Sequence, residues 1–252
     1  MDMRAIRQAA QRLAKARRTG EPLDRLPPDS RPQNAAEAYA IQLALVEEIG
    51  DSVAGWKVAI SPDYGLLVGI LVRSRIFENG AEISSQPFSM LGLEAEIAFR
   101  FDRPLPPRDR AYERAEVAAA VTALPAIEIV DTRFASYDGT PVIERAADFM
   151  SNGGLVTGPA RKDWRSFDLA RLEASVTIDG SEIVRRVGGN ACGDPMIPAV
   201  ALVNQLRLSG GAPAGIVVTT GTYTGLEYAR GDSAVCARFE GFGAAALRFV
   251  RL

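Results

Sequence analysis

Leu93-Glu94-Ala95-Glu96-Ile97, the start of an apolar run that continues to Phe101, alternates apolar and acidic side chains. On an extended strand neighbouring side chains point to opposite faces, so Leu93, Ala95 and Ile97 line one face and the two carboxylates share the other. Acids that close repel unless one is protonated or a cation bridges them, and carboxylate oxygens are the ligands a hard divalent ion prefers. A solvated acidic sheet face explains the same alternation. A second run, Ala126-Ile127-Glu128-Ile129-Val130, shifts the balance towards a cation, because an unpaired ionised carboxylate buried in so apolar a strand is costly. A single ionic partner, with Arg133 nearby in sequence, is the competing explanation.

Working outward, short apolar segments broken by Gly, Pro and Asp read as further strands over residues 56–60, 65–72, 174–178, 216–220, 234–239 and 244–250. The first segment, from Met3 to about Arg18, is rich in Ala, Leu, Arg and Lys and ends near Gly20, as a helix does. Its excess of arginine is the other reading of this segment, as a transit peptide. Beyond a linker with Pro27, Pro28 and Pro32, Asn34 followed by Glu37 marks a second helix start, and Gly50 its end. Residues 110–122 read as a third helix that stops before Pro125, and residues 202–208 as the end of another. Several strands with few intervening helices predict a β-rich α+β domain, not a doubly wound sheet. The expected organisation is a small helical cap over residues 1–54 and a β-rich domain carrying the acids over residues 55–252.

Composition narrows the chemistry. The chain has 252 residues and no histidine, which excludes Ser-His-Asp and Cys-His triads and makes any metal site oxygen-rich. Oxygen ligands suit magnesium, manganese or calcium. With 29 Lys+Arg against 31 Asp+Glu, the net charge of -2 gives no reason to expect nucleic acid or a membrane surface as partner. A small-molecule ligand and a soluble, cytoplasmic protein are expected. Cys192 and Cys236 share no metal-ligand spacing and read as reduced packing residues.

Three further segments offer polar groups. Lys57, in Gly55-Trp56-Lys57-Val58-Ala59-Ile60, is either a partly desolvated ammonium able to hold an anion or shuttle a proton, or a surface lysine on an edge strand. Ser151-Asn152-Gly153-Gly154 reads as a turn, and Thr219-Thr220-Gly221-Thr222 as the Gly-containing end of a strand; both suit close contact with a ligand. Gly241-Phe242-Gly243 does not complete a dinucleotide fingerprint.

In this order the pieces resemble the fumarylacetoacetate hydrolase superfamily, in its branch of 2-oxopent-4-enoate (2-keto-4-pentenoate) hydratases and 4-oxalocrotonate decarboxylases. The resemblance spans nearly the whole chain. It is carried by Ala38-Tyr39-Ala40-Ile41-Gln42, Gly55-Trp56-Lys57-Val58, Gly92-Leu93-Glu94-Ala95-Glu96-Ile97-Ala98, Leu124-Pro125-Ala126-Ile127-Glu128, Ala147-Asp148 with Ser151, and Thr220-Gly221-Thr222. It implies a mixed β-roll in which Glu94, Glu96 and Glu128 hold Mg2+ or Mn2+, with no organic cofactor. The ion would chelate the carboxylate and the 2-oxo (or enol) oxygen of a short dicarboxylic or dienoic acid. Lys57 and Ser151 are then the expected catalytic residues, and Gly221 and Thr222 the substrate-binding ones. The implied reaction is addition of water to a 2-oxo-alkenoate such as 2-hydroxypenta-2,4-dienoate in aromatic-compound catabolism. The implied assembly is a homo-oligomer, with a paralogous decarboxylase as a further partner.

The chain departs from that pattern. Ile70 stands where the hydratases carry an Asp, Phe149 where an Asn is usual, and Gly193-Asp194-Pro195 replaces Gly-His-Pro. Two other readings therefore stay open: a metal-dependent decarboxylase or C–C hydrolase of a related 2-oxo acid, and a weakly catalytic paralogous subunit.

Overall fold

Local signals set the helical N-terminus. Asp2 accepts a hydrogen bond from the Ala5 amide to start α1 (Met3–Thr19), and Asn34 accepts one from the Glu37 amide to start α2 (Ala35–Ile49). Gly20 and Gly50 close the two helices in the left-handed conformation that glycine adopts without strain. In the computed structural model, which describes residues 1–251, the strands that follow are β1 (Val53–Ser61), β2 (Gly65–Val72), β3 (Ile76–Glu78), β4 (Ala81–Ser84), β5 (Gly92–Phe101), β6 (Val121–Val130), β7 (Asn152–Thr157), β8 (Glu173–Ile178), β9 (Ser181–Val187), β10 (Val217–Thr222), β11 (Glu227–Tyr228), β12 (Ala234–Phe239) and β13 (Gly243–Val250). Between them lie α3 (Arg114–Ala118), α4 (Val142–Ala147) and α5 (Met196–Leu206).

One sheet has eight strands in the order β2-β1-β10-β5-β6-β7-β3, with β11 beside β5; the other runs β4-β13-β12-β8-β9. Parallel pairs (β1 with β10, β3 with β7, β13 with β4) sit among antiparallel ones, so both sheets are mixed. The main apolar core joins Leu13 of α1 and Ile41 and Leu45 of α2 to Ile97 and Ile127 of the first sheet and Val176, Phe239 and Phe249 of the second. Both N-terminal helices are thus packed into the same core as the sheets. No helix among the described residues is long and apolar enough to cross a membrane.

Two expectations are corrected. The helix expected over residues 110–122 is a single short element, Arg114–Ala118, closed at its start by a reciprocal Glu113–Glu116 capping box. The chain is already extended at Val121, and every residue of β6 is buried between β5 and β7, so burial overrides the helical leaning of the Ala-rich stretch. Pro125, expected to precede the strand, lies inside it opposite Ile97. Likewise Asn152-Gly153-Gly154 opens β7 and is not a turn. The glycines there serve close packing: a Cβ on Gly153 would lie 2.9 Å from the Asp131 Cβ.

The loop after α4 is tied to the N-terminal helix. Asp148, fully buried, receives the Arg17 guanidinium at 2.8 Å and the Arg133 Nε at 2.7 Å. Arg133 also pairs with Asp131 at 3.0 Å. Arg133, weighed in the sequence as a partner for Glu128, is therefore committed elsewhere. Removing one member of a buried ionic set leaves the others uncompensated. Asp148→Asn is expected to destabilise the fold by about 3–5 kcal/mol, read as a lowered urea midpoint at unchanged slope.

Candidate metal and substrate site

Strand order assembles the site. β1, β10, β5, β6 and β7 are consecutive in the first sheet and contribute Lys57, Gly221 and Thr222, Glu94 and Glu96, Glu128, and Asn152 respectively. Register does the rest: Glu94 lies directly opposite Glu128, and Lys57 pairs with Gly69 and Thr219. Strand alternation then puts Lys57 and all three glutamates on one face. The same face continues into a small apolar cluster of Leu71, Ala98, Ala126, Leu155 and Val217. Gly69 gives Lys57 its room, since a Cβ there would meet the lysine Cγ at 2.8 Å.

One oxygen from each of Glu94, Glu96 and Glu128 falls within 4.8 Å of the others. Glu128 Oε1 accepts from Lys57 Nζ at 2.7 Å and Asn152 Nδ2 at 2.9 Å. Its Oε2 is buried with no hydrogen-bond partner. Glu96 Oε2 accepts the Thr220 and Gly221 amides, both at 3.0 Å. Asn190 holds that loop in place by donating to the Thr220 and Gly221 carbonyls. The hydroxyls of Ser151 and Thr219 are also buried and unpartnered. Unsatisfied oxygens beside converging carboxylates are a costly arrangement for an empty interior and a fitting one for a divalent cation. All the potential ligands are hard oxygens, so the donor set fits magnesium or calcium and not a thiophilic metal.

Charge follows burial. Desolvation, reinforced by Glu128, pushes Glu94 up to about 7, with Lys57 acting against it. Desolvation and the neighbouring carboxylates drive Glu96 well above the ordinary range. Burial alone would lower the Lys57 ammonium, but Glu128, Glu94 and Glu96 outweigh it and the net shift is upward. Lys57 is only 13% exposed, between β2 and β10, which rules out the edge-strand reading.

A cavity of about 360 Å³ opens over this face, and its wall includes Lys57, Glu94, Glu96, Ser151, Gly221 and Thr222. Glu128 lies behind them, fully buried. The Thr222 hydroxyl is occupied within its own turn, accepting from the Thr224 and Gly225 amides. Tyr137, Arg145 and Met150 also line the cavity, and sequence reasoning did not single them out. Ser151 ends a run of left-handed residues, with φ of 51° at Phe149 and Met150 and 60° at Ser151. A larger cavity of about 560 Å³, beside Arg17, Arg75 and Arg133, contains none of the three acids.

The departures noted in the sequence are placed as follows. Ile70 pairs with Trp56, so its side chain enters the core on the face opposite Lys57, and its amide donates to Gln42. Asp194 lies outside the cavity, where it accepts from the Met196 amide at the start of α5 and pairs with Arg114 at 2.6 Å. Cys192 and Cys236 are free and partly exposed.

No family model matches the chain. It is 30% identical to a 2-keto-4-pentenoate hydratase of Paraburkholderia phymatum over 98% of both proteins. It is 27% identical to a 4-oxalocrotonate decarboxylase of Pseudomonas putida over 85% of both. Among solved structures, the 4-oxalocrotonate decarboxylase from Pseudomonas putida G7, complexed with magnesium and adipate, superposes with a TM-score of 0.86 at 21% identity, covering 99% of each chain. More distant structures sharing the fold include a fumarylacetoacetate hydrolase.

The raised carboxyls carry a linkage consequence. Between the ordinary glutamate value of 4.5 and about 7, the folded metal-free protein holds more protons than the unfolded chain. Its stability is therefore greatest below that window and falls as pH rises through it. Thermal melts in a chelator are expected to show this fall, and added magnesium to remove it.

Proposed function

The chain belongs to the family of 2-keto-4-pentenoate hydratases and 4-oxalocrotonate decarboxylases, and on that premise we propose that it is a hydro-lyase using one divalent cation, Mg2+ or Mn2+, held by Glu94, Glu96 and Glu128. The observation that carries this is the convergence of three carboxylates at the cavity wall, Glu94 and Glu96 lining it and Glu128 buried behind them with one oxygen unpartnered. When bound, the cation supplies Lewis-acid stabilisation for negative charge on the 2-oxo oxygen of a 2-oxo-alkenoate such as 2-hydroxypenta-2,4-dienoate.

The chain's own groups account for the remaining needs. Hydration of this dienol requires a proton lost from the C2 hydroxyl and one gained at C5, followed by water adding its hydroxyl at C4 and its proton at C3. Lys57 lines the cavity beside Glu94 and Glu96, and its contact with Glu128 orients its ammonium. Its role is to anchor the substrate anion and move a proton. The Ser151 hydroxyl, buried at the cavity wall without a partner, is free to donate to a substrate oxygen. Gly221, with a φ of 108° and no side chain, lets a substrate carboxylate approach the β10 backbone beside Thr222. Beyond the acids the same strand face continues as a buried apolar cluster of Leu71, Ala98, Ala126, Leu155 and Val217.

A second reading keeps the chelate and breaks a C–C bond instead, as in decarboxylation of a related 2-oxo acid; the similarity to the Pseudomonas putida decarboxylase favours keeping it. Ultraviolet loss of 2-hydroxypenta-2,4-dienoate tests the first. Wild type is expected to consume it only with magnesium or manganese present. Glu128→Gln is expected to lower turnover by about 100-fold or more, the scale of removing an electrostatic stabiliser. Carbon dioxide released from a 2-oxo-enedioate, with the dienoate untouched, would replace the hydratase reading by the decarboxylase one.

A further inference from the structure

The cavity of about 560 Å³ is walled by the last turn of α1, the turn after β2 and the segments just before β5 and just after β6. None of Glu94, Glu96 and Glu128 borders it, and Tyr137 alone is common to its wall and to that of the cavity over Glu94 and Glu96. Arg17, Arg18, Arg75 and Arg133 reach this wall, facing Glu21, Asp51 and Asp131. Each of those acids is already engaged. Glu21 pairs with Lys15 at 3.3 Å, Asp51 accepts the Ser74 hydroxyl, and Asp131 accepts Arg133 at 3.0 Å together with the Ser89 and Met90 amides. Asp148, which does not line the cavity, takes Arg17 and Arg133.

Arg75 is left over. Half-buried, its guanidinium forms neither an ion pair nor a hydrogen bond among the described residues and lies over the Phe88 ring, 5.4 Å from the centroid. Stacking occupies a face of a guanidinium and leaves its in-plane N–H groups for a ligand. The Arg17 Nε is likewise buried without a hydrogen-bond partner. Burial and the nearby Arg133 lower Arg75 below the ordinary arginine value and push Arg17 down to about 10. Crowded guanidiniums with too few free acids are the mirror image of the crowded carboxylates in the other cavity: the first lack a cation, the second an anion. Pro22, Pro87, Phe88, Met90 and Phe134 supply apolar wall around these charges, the mixture that a small organic ligand needs.

We propose that this cavity is a second binding site, for a small organic anion whose carboxylate or phosphate sits against Arg75 and whose apolar body lies along Phe88. Carboxylate and phosphate share the planar, two-oxygen edge that a guanidinium fork matches. The site is distinct from the one that holds the substrate, and the inference stands whether or not Glu94, Glu96 and Glu128 hold a metal.

Calorimetry on protein stripped of metal tests it with phenyl phosphate and benzoate as probes, because without a cation the carboxylates of the other cavity disfavour an anion. Wild type is expected to bind at least one probe saturably at a single site. A preference for phenyl phosphate identifies a phosphate ligand, and equal or tighter binding of benzoate a carboxylate. Arg75→Gln is expected to weaken the better probe about tenfold or more, the worth of a charge-assisted pair. Arg145→Gln, in the other cavity, is expected to leave that affinity unchanged. Phe88→Leu, which removes the stacking partner and keeps every charge, is expected to weaken it severalfold and decides in its place if Arg75→Gln does not fold. No saturable binding of either probe, binding that survives intact in Arg75→Gln, or binding lost in Arg145→Gln instead overturns the proposal.

Discussion

Three carboxylates meet on one buried sheet face opposite a single ammonium, and that imbalance of charge is the constraint the rest of the site answers to. Lys57 offsets one charge through its 2.7 Å contact with Glu128. Backbone amides of Thr220 and Gly221 stabilise Glu96, and Asn152 supports Glu128. What is left over shows as the upward displacement of Glu94 and Glu96, because burial without a sufficient counter-charge favours the protonated acid. A divalent cation at this point would answer both needs, compensating the charge and taking the unpartnered Glu128 oxygen as a ligand.

The fold is arranged so that these groups arrive from different strands yet cannot drift apart. Five neighbouring strands of the first sheet each deliver one part, and β6, buried along its whole length, is clamped between β5 and β7. A register slip of one residue in β5 would turn Glu94 and Glu96 into the core and bring Leu93 and Ala95 to the cavity. The apolar face of Leu93, Ala95 and Ile97 opposes such a slip, since each is buried in the main core. The carboxylate face is thus held in register by the hydrophobic face behind it.

Much of this was legible in the sequence because it is local. Alternation in residues 93–97 gives the shared carboxylate face, and the apolar setting of Glu128 marks it as needing compensation. The absence of histidine, with two cysteines at no metal-ligand spacing, marks any metal site as oxygen-rich. What was not legible depends on distant pairings. Residues 110–122 carry helical residues, but burial of residues 121–130 between two other strands decides their conformation. Arg133 is near Glu128 in sequence yet pairs with Asp131 and Asp148, while Glu128 finds Lys57 across the sheet. Gly153 and Gly154 look like a turn and are instead thin places in a strand. Arg145 and Tyr137 belong to a segment with no motif, and only the cavity brings them into view.

The segment from Phe149 to Ser151 links the helical N-terminus to this chemistry. Three successive non-glycine residues in the left-handed region cost roughly 1–2 kcal/mol each, so the conformation persists only where the surroundings over-determine it. Those surroundings are specific: Asp148, just before the run, is gripped by Arg17 from α1 and by Arg133, and the Arg17 guanidinium also covers the Phe149 ring at 4.5 Å. The far end of the run sets the Ser151 hydroxyl in the cavity and its amide on the Asp148 carbonyl. An asparagine at position 149 would tolerate this backbone by itself, whereas phenylalanine adopts it against its own preference and is compensated by the arginine stacked on it. In this chain, therefore, α1 is part of what shapes the site: the ionic contact of its last turn with Asp148 is what makes the strained approach to Ser151 affordable.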